Sequence, residues 1–187
     1  MCSSDLSSLA EAGLELMVID TRVTHTLADG QYAKRRADCD EAARELGLEW
    51  LSDATQADAE RLSDPRLQAR TRHVVTENQR VDQVVELVRA GRVAEIGPLL
   101  DGSHASLRDD YEVSAVELDV VVEAARAAGA LGARMVGGGF GGSAIALIRS
   151  TDAAAVGEAV VTACRERDLT EPGILTVTSG PAARRLT

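Results

Sequence analysis

Residues 137–142 read Gly-Gly-Gly-Phe-Gly-Gly, five glycines in six positions, between two short apolar runs. Neither a helix interior nor a strand interior suits such density, because each glycine there costs about 0.5–1 kcal/mol relative to alanine. The segment is therefore a connection. Its flanks, residues 134–136 and 144–148, are short and apolar, so the three together read as a hairpin around a glycine turn. Gly137, Gly139 and Gly142 satisfy GxGxxG, but a dinucleotide-binding loop requires a helix directly after it. A strand-like run follows instead. No Gly-Lys-Ser/Thr follows, so the segment is not a Walker A loop. Two readings stay open. One is a tight turn, which needs only one or two glycines. The other is a backbone device whose positive φ lets a phosphate or another backbone come close.

The remaining elements arrange themselves around that hairpin. Residues 14–20 (LELMVID) alternate and predict a strand. Asp29 is placed to cap a helix running to about Leu46, with Gly47 as its stop. Lys34, Arg35 and Arg36 early and Glu41 and Glu45 late oppose the macrodipole preference of that helix. Residues 48–64 are polar with one short helical piece, and Asp64-Pro65 starts the longest helix, to about Ala90. Val74, Val81, Val85 and Val88 mark its apolar stripe, and Gly91 ends it. Residues 92–110 predict a helix disturbed by Gly97-Pro98 and Gly102. Ser114 and Glu117 form a capping-box pattern before a helix that carries Leu118, Val121, Val122 and Ala125 inward and stops at Gly129. After the hairpin, residues 152–168 predict a helix, 173–178 a last strand, and the remainder to Thr187 a tail. The order is β-α-β-β-α-β, the α+β ferredoxin-like pattern, with a helical insertion over about 29–110 after the first strand.

At 187 residues with 45% apolar and 27% charged residues, the chain is long enough for one complete core. Aromatic residues are only 2%, so that core is built from Ala, Val, Leu and Ile. A net charge of −10 argues against coating nucleic acid or an anionic membrane. Cys2, Cys39 and Cys164 lie far apart and form no CxxC pair, which disfavours a zinc site or a disulfide framework and fits a reducing, cytoplasmic setting. No basic-plus-apolar leader and no long apolar run is present, so neither a signal peptide nor a spanning helix is expected.

Two polar clusters are candidates for chemistry. Tyr32 lies one turn before Arg36, beside Arg35; its phenol can bond a sugar hydroxyl or its ring can simply pack. The run SHASLRDDYE gathers His104, Ser106, Arg108, Asp109 and Asp110. The two aspartates suit a metal or a base, and equally a solvated helix end with an Arg–Asp pair. His25 and His73 have no partner at ligand spacing, and Cys39 reads as a small apolar residue within a helix.

Three separated segments, GQYAKRRADCDEAARELG at 30–47, SHASLRDDYEVSAVELD at 103–119 and GARMVGGGFGGSAIALI at 132–148, resemble galactokinase, and HVVTENQRV at 73–81 resembles that family's long helix. RMVGGGFGG alone would point to GHMP kinases broadly. The resemblance is to the C-terminal half and covers roughly residues 14–180. It implies one GHMP kinase C-terminal domain over 1–187, without the N-terminal ATP-binding domain. It implies phosphorylation of galactose to galactose 1-phosphate by ATP with Mg²⁺. The phosphate loop, the catalytic aspartate and most ATP and Mg²⁺ contacts would lie in the other half, a candidate partner, and no catalytic or metal residue is expected on this chain. Tyr32 matches the family's galactose-contacting tyrosine. Gly137, Gly138, Gly139, Phe140, Gly141 and Gly142 match the motif that shapes the ATP site. Arg134 and Met135 flank it, and Arg36, His104, Ser106, Arg108 and Asp109 are given supporting places. Ser143 stands where many members have Cys, and Thr24 where some have Arg. The isolated chain is expected to be inactive. A non-catalytic remnant, or another GHMP small-molecule kinase, are the alternatives.

Overall fold

A computed structural model describes residues 9–23 and 30–177. Strand β1 (Leu14–Asp20) is followed by four helices: α1 (Gln31–Leu46), α2 (Gln56–Arg61), α3 (Pro65–Arg89) and α4 (Gly97–Asp109). Then come α5 (Val116–Ala127), β2 (Gly132–Val136), β3 (Ser143–Arg149), α6 (Ala153–Arg165) and β4 (Gly173–Val177). The sheet order is β2-β3-β1-β4, with every neighbouring pair antiparallel. This is the expected ferredoxin-like arrangement, with α1–α4 inserted after β1.

Side chains alternate across the sheet. Met17, Ile19, Ala133, Met135, Ala144, Ala146 and Ile148 form one buried face. Against it pack Leu118, Val121, Val122 and Ala125 of α5 and Val156, Val160 and Cys164 of α6. The α5 stripe expected from spacing is therefore buried. The opposite face is covered only in part. Leu14 and Leu147 meet Val93, with Val88, Ile96, Leu100 and Leu131 packed around them. Leu16, Val18, Ile145, Leu175 and Val177 belong to no core cluster, and Leu175 is 61% exposed.

Edge strand β2 has its free side completed by a helix. The Ala133 N–H donates to Asp101 Oδ1 (2.9 Å) and the Met135 N–H to His104 Nδ1 (3.3 Å). Asp101 and His104 lie three apart on α4 and so share a face, while Ala133 and Met135 lie two apart on the strand and point their amides the same way. Close approach of α4 to β2 requires two glycines: a Cβ on Gly97 would collide with the Leu131 carbonyl, and one on Gly132 with the Gly97 carbonyl.

Four local expectations change. Asp29 lies outside the described residues; the position before α1 is Gly30, left-handed at φ 61°, with no side-chain cap. Between α1 and α3 there are two short helical pieces, residues 51–53 and α2, and Thr55 and Asp58 cap the second reciprocally. Val81 is 60% exposed. Val74 and Val88 of the expected stripe do pack on apolar clusters, and the most buried residues of α3 are Leu67, Arg70, Thr71, His73 and Val75. The capping box at Ser114 is absent: Ala115 is the cap residue of α5, and the Ser114 hydroxyl donates to Asp119 Oδ1 (2.6 Å). Asp64 does cap α3 through the Arg66 N–H, and Gly47 does close α1 in a left-handed conformation.

Candidate functional site

The turn between β2 and β3 spends glycine on backbone shape. Gly137, Gly139, Gly141 and Gly142 have φ of 91°, 89°, 127° and 82°, and Phe140 between them is also left-handed at 64°. A side chain is strained in that region, so the run cannot be a generic two-residue turn. The run is anchored at its centre and at its far end. Gly142 O accepts from the Thr21 N–H (2.9 Å) and the Thr21 hydroxyl (2.6 Å) at the end of β1. The Phe140 N–H donates to Val113 O (2.6 Å). Gly139 lies so close to Val113 that a Cβ there would stand 2.6 Å from Val113 Cβ. Gly139 is thus required twice, for its φ and for its bareness.

Tyr32, in the first turn of α1, is 65% exposed, and a Cβ on Gly138 would lie 4.0 Å from its ring. Helix and loop, more than a hundred residues apart in sequence, therefore put an accessible phenol beside a glycine backbone. Arg35, next in the same helix but pointing inward, joins them. Its Nε donates to Tyr111 O (2.7 Å) and its Nη2 to Glu112 O (2.9 Å), and its guanidinium lies 6.0 Å from the Phe140 ring centre. This explains why α1 carries cations early against its dipole: Arg35 is spent on carbonyls of another segment.

Beneath lies a buried ionic cluster with no counterpart in the sequence reading. Arg70, 2% exposed, donates from Nε to Asp38 Oδ2 (3.1 Å), from Nη1 to Asp110 O, and from Nη2 to Glu112 Oε2 (2.5 Å). That bond to Arg70 is the main reason the Glu112 carboxyl titrates below its usual range. Asp38 is also met by Arg66 and, at 3.8 Å, by Arg35. A partial signal for Arg70 was present: Leu67, Arg70, Thr71 and Val74 follow the i, i+3, i+4, i+7 series of a buried face.

The other named residues separate. Arg36 is exposed and pairs with Asp40 along the helix (3.6 Å), at the mouth of a cleft of about 560 Å³ that Cys39, Arg44 and Trp50 also line. Arg108 and Asp109 pair with each other (2.8 Å) on the surface, so that cluster contains the solvated Arg–Asp pair. Asp110 turns inward, accepting from Ser106 Oγ (3.1 Å) and Arg72 Nε (2.9 Å). Arg134 lies against Glu77 (3.5 Å), and burial lowers its affinity for protons. His104 accepts from the Met135 amide through Nδ1, so its Nε2 carries the proton, 3.2 Å from Asp119 Oδ1 without good hydrogen-bond alignment. His73 contacts Ser106 Oγ (3.0 Å) and stacks on Tyr111 at 4.4 Å; burial lowers its pKa to about 4. Cys39 lies 3.6 Å from the Tyr111 hydroxyl, with its thiol pushed up by burial, the opposite of an activated nucleophile. His25 and Thr24 lie outside the described residues. Among the described residues no three His, Cys, Asp or Glu side chains converge as metal ligands, and no helix is long and apolar enough to cross a membrane.

Residues 84–166, which include the second strand, the glycine loop and the third strand, match the family described as GHMP kinases, C terminal. The chain carries a GHMP kinase C-terminal domain of the galactokinase family. It is 48% identical to the galactokinase of Streptomyces coelicolor over 183 residues, which cover 95% of this chain and 47% of the relative. It is 39% identical to that of Mycobacterium tuberculosis over 90% of this chain and 47% of the relative. The structure of Lactococcus lactis galactokinase complexed with galactose superposes with a TM-score of 0.86 at 32% identity, over 93% of this chain and 47% of that one. An L. major mevalonate kinase with R-mevalonate superposes at 0.59 and 24% identity, over 90% of this chain and 44% of that one, and speaks for the fold of this GHMP domain alone. The chain spans about half the length of the curated relatives it matches.

Proposed function

We propose that this chain supplies the sugar-facing and nucleotide-facing C-terminal portion of a galactokinase, which transfers a phosphoryl group from ATP to galactose and yields galactose 1-phosphate. The observation that carries the reading is the exposed Tyr32 ring beside Gly138. A phenol can donate to and accept from a sugar hydroxyl, and a left-handed glycine backbone leaves room for a polyphosphate. The loop fits a nucleotide in that sense: Gly137–Gly142 present backbone rather than side chains, on a turn fixed at Thr21 and Val113. ATP, when bound, supplies the phosphoryl group. Within this reading Tyr32 orients the sugar and the glycine loop limits where the nucleotide lies. Mg²⁺ belongs to the proposed reaction, but the described residues offer it no ligand set. Positioning and charge stabilisation carry phosphoryl transfer, so a half-site is expected to be inert. Purified chain with ATP and galactose is expected to release no ADP; galactose-dependent ADP release would refute that expectation.

A second reading, a non-catalytic module that pairs with a separate N-terminal half, is favoured by the apolar strip Leu16, Val18, Ile145, Leu175 and Val177, which among the described residues joins no core cluster and exposes Leu175 and Val177. The strip begins at Ile145, three residues after the glycine loop, on the strand that follows it. Mixing the chain with a recombinant N-terminal half separates the two. Restored galactose-dependent ADP release supports the kinase reading; a stable but inactive complex supports the module. Replacing galactose by other alcohol acceptors in the same mixture tests for another GHMP kinase activity.

A further inference from the structure

Two non-glycine residues at the site are left-handed, Phe140 in the glycine loop (φ 64°) and Glu112 in the segment beneath it (φ 54°). Such a conformation is strained for a residue with a side chain and persists only where surrounding groups over-determine it. Glu112 is held at both ends: its carbonyl accepts from Arg35 Nη2 (2.9 Å) and its carboxylate from Arg70 Nη2 (2.5 Å). Arg70 also binds the carbonyl of Asp110, and Arg35 that of Tyr111 (2.7 Å). The next residue, Val113, offers the carbonyl that receives the Phe140 amide (2.6 Å). A continuous chain of contacts thus runs from a buried cation, through a strained turn, to the centre of the glycine loop.

Burying a guanidinium is expensive, and well-packed apolar residues often serve stability as well as a buried ion pair does. Stability alone therefore gives little reason for a cation 2% exposed at this place. We propose that Arg70 is a positioning residue for the glycine loop: it holds Glu112 left-handed, and the turn so fixed sets the loop through Val113. The proposal rests on the kinase reading only in naming the loop a nucleotide lip. It concerns the conformation of this chain and stands or falls without any activity.

The test compares amide hydrogen exchange at residues 137–142 with that at the core strands β1 and β3 in the purified chain. Glu112→Ala removes the carboxylate and keeps a Cβ in the strained conformation; Glu112→Gly removes the carboxylate and the strain together. Exchange of the Phe140 amide is expected to quicken tenfold or more in Glu112→Ala and to stay within threefold of the parent in Glu112→Gly. Arg70→Met is expected to quicken it similarly, and Glu112→Gly placed in Arg70→Met to restore it. Loss of a merely structural contact would not be rescued by glycine at 112. Unchanged loop exchange in Glu112→Ala overturns the proposal, as does equal loss in the Ala and Gly variants. If Arg70→Met does not fold, the 112 pair alone decides.

Discussion

Single side chains at this site divide by what they would lose. Tyr32 is 65% exposed, so Tyr32→Ala is expected to change the unfolding free energy by less than about 0.5 kcal/mol. In the reconstituted mixture the same change should raise the galactose KM about tenfold or more, the loss of a hydrogen bond or two at a sugar. An unaltered KM would remove Tyr32 from the sugar site. Gly139 behaves in the opposite way. Gly139→Ala meets both a positive φ and the Val113 side chain, and should cost about 2 kcal/mol or more in urea unfolding. Gly91→Ala, with φ 70° but open space around it, should cost only about 1 kcal/mol. Equal costs would mean that the close approach to Val113 is not rigid. His73 gives a pH dependence. Its folded pKa, about 4, lies below the ordinary 6.5 because burial disfavours the charged ring. The unfolded chain therefore binds the proton first. The contribution of the neutral ring is intact above pH 6.5 and is lost as pH falls toward 4, roughly 3 kcal/mol across that window. His73→Gln should flatten the urea-derived stability curve over the same range; a curve as steep as the parent's would place the titration elsewhere. The glycine run was legible in sequence, because left-handed backbone favours glycine; a sugar-facing place for Tyr32 came only from the resemblance, since a lone tyrosine also packs. Arg35, Arg70 and Glu112 were not legible, since a charged residue in a helix or turn ordinarily lies in water, and only the fold shows that these charges point at carbonyls.

Elements with simple periodicity were readable, and elements with polar interiors were not. β1, β3, α5 and α6 each bury one clear apolar face, and the sequence pattern shows it. α3 buries Arg70, Thr71 and His73 alongside Leu67 and Val75; of the valines counted in sequence, Val74 and Val88 do pack on apolar clusters while Val81 is exposed, so the stripe showed only part of that face. Ser114–Glu117 has capping-box letters, yet Ser114 is used to reach Asp119 one turn further on. Local patterns compete with tertiary partners, and here the partner won. α4 and β2 form the pairing that no periodicity reveals. Asp101 accepts from the Ala133 amide and also pairs with Arg126 (2.8 Å). Asp101→Ala is expected to destabilise the chain by about 1–3 kcal/mol, because an amide at a covered edge loses its acceptor. Exchange at Ala133 should quicken more than exchange at Ile148, and equal quickening would count against a local edge contact.

At the scale of the molecule, one sheet face is closed by α5 and α6, and among the described residues the other is closed in part by α3 and α4. Leu175 and Val177 expose apolar area on the sheet, and such area favours association. Sedimentation of the chain alone is expected to show self-association as concentration rises, and Leu175→Lys should reduce it without lowering stability. A monomer at every concentration would show that the strip is too small to drive pairing. The α+β order was legible because strands and helices alternate as the β-α-β-β-α-β pattern requires. The uneven covering was not, because it depends on where the inserted helices come to rest. Asp101 and His104 have a further effect at this scale. By answering the Ala133 and Met135 amides from a helix, they remove two donors that another backbone would need at that margin. Among the described strands β4 is the other edge, with no strand on its far side. A strand joining the sheet, from a companion polypeptide or from a misfolded neighbour, would pair more readily there than at β2.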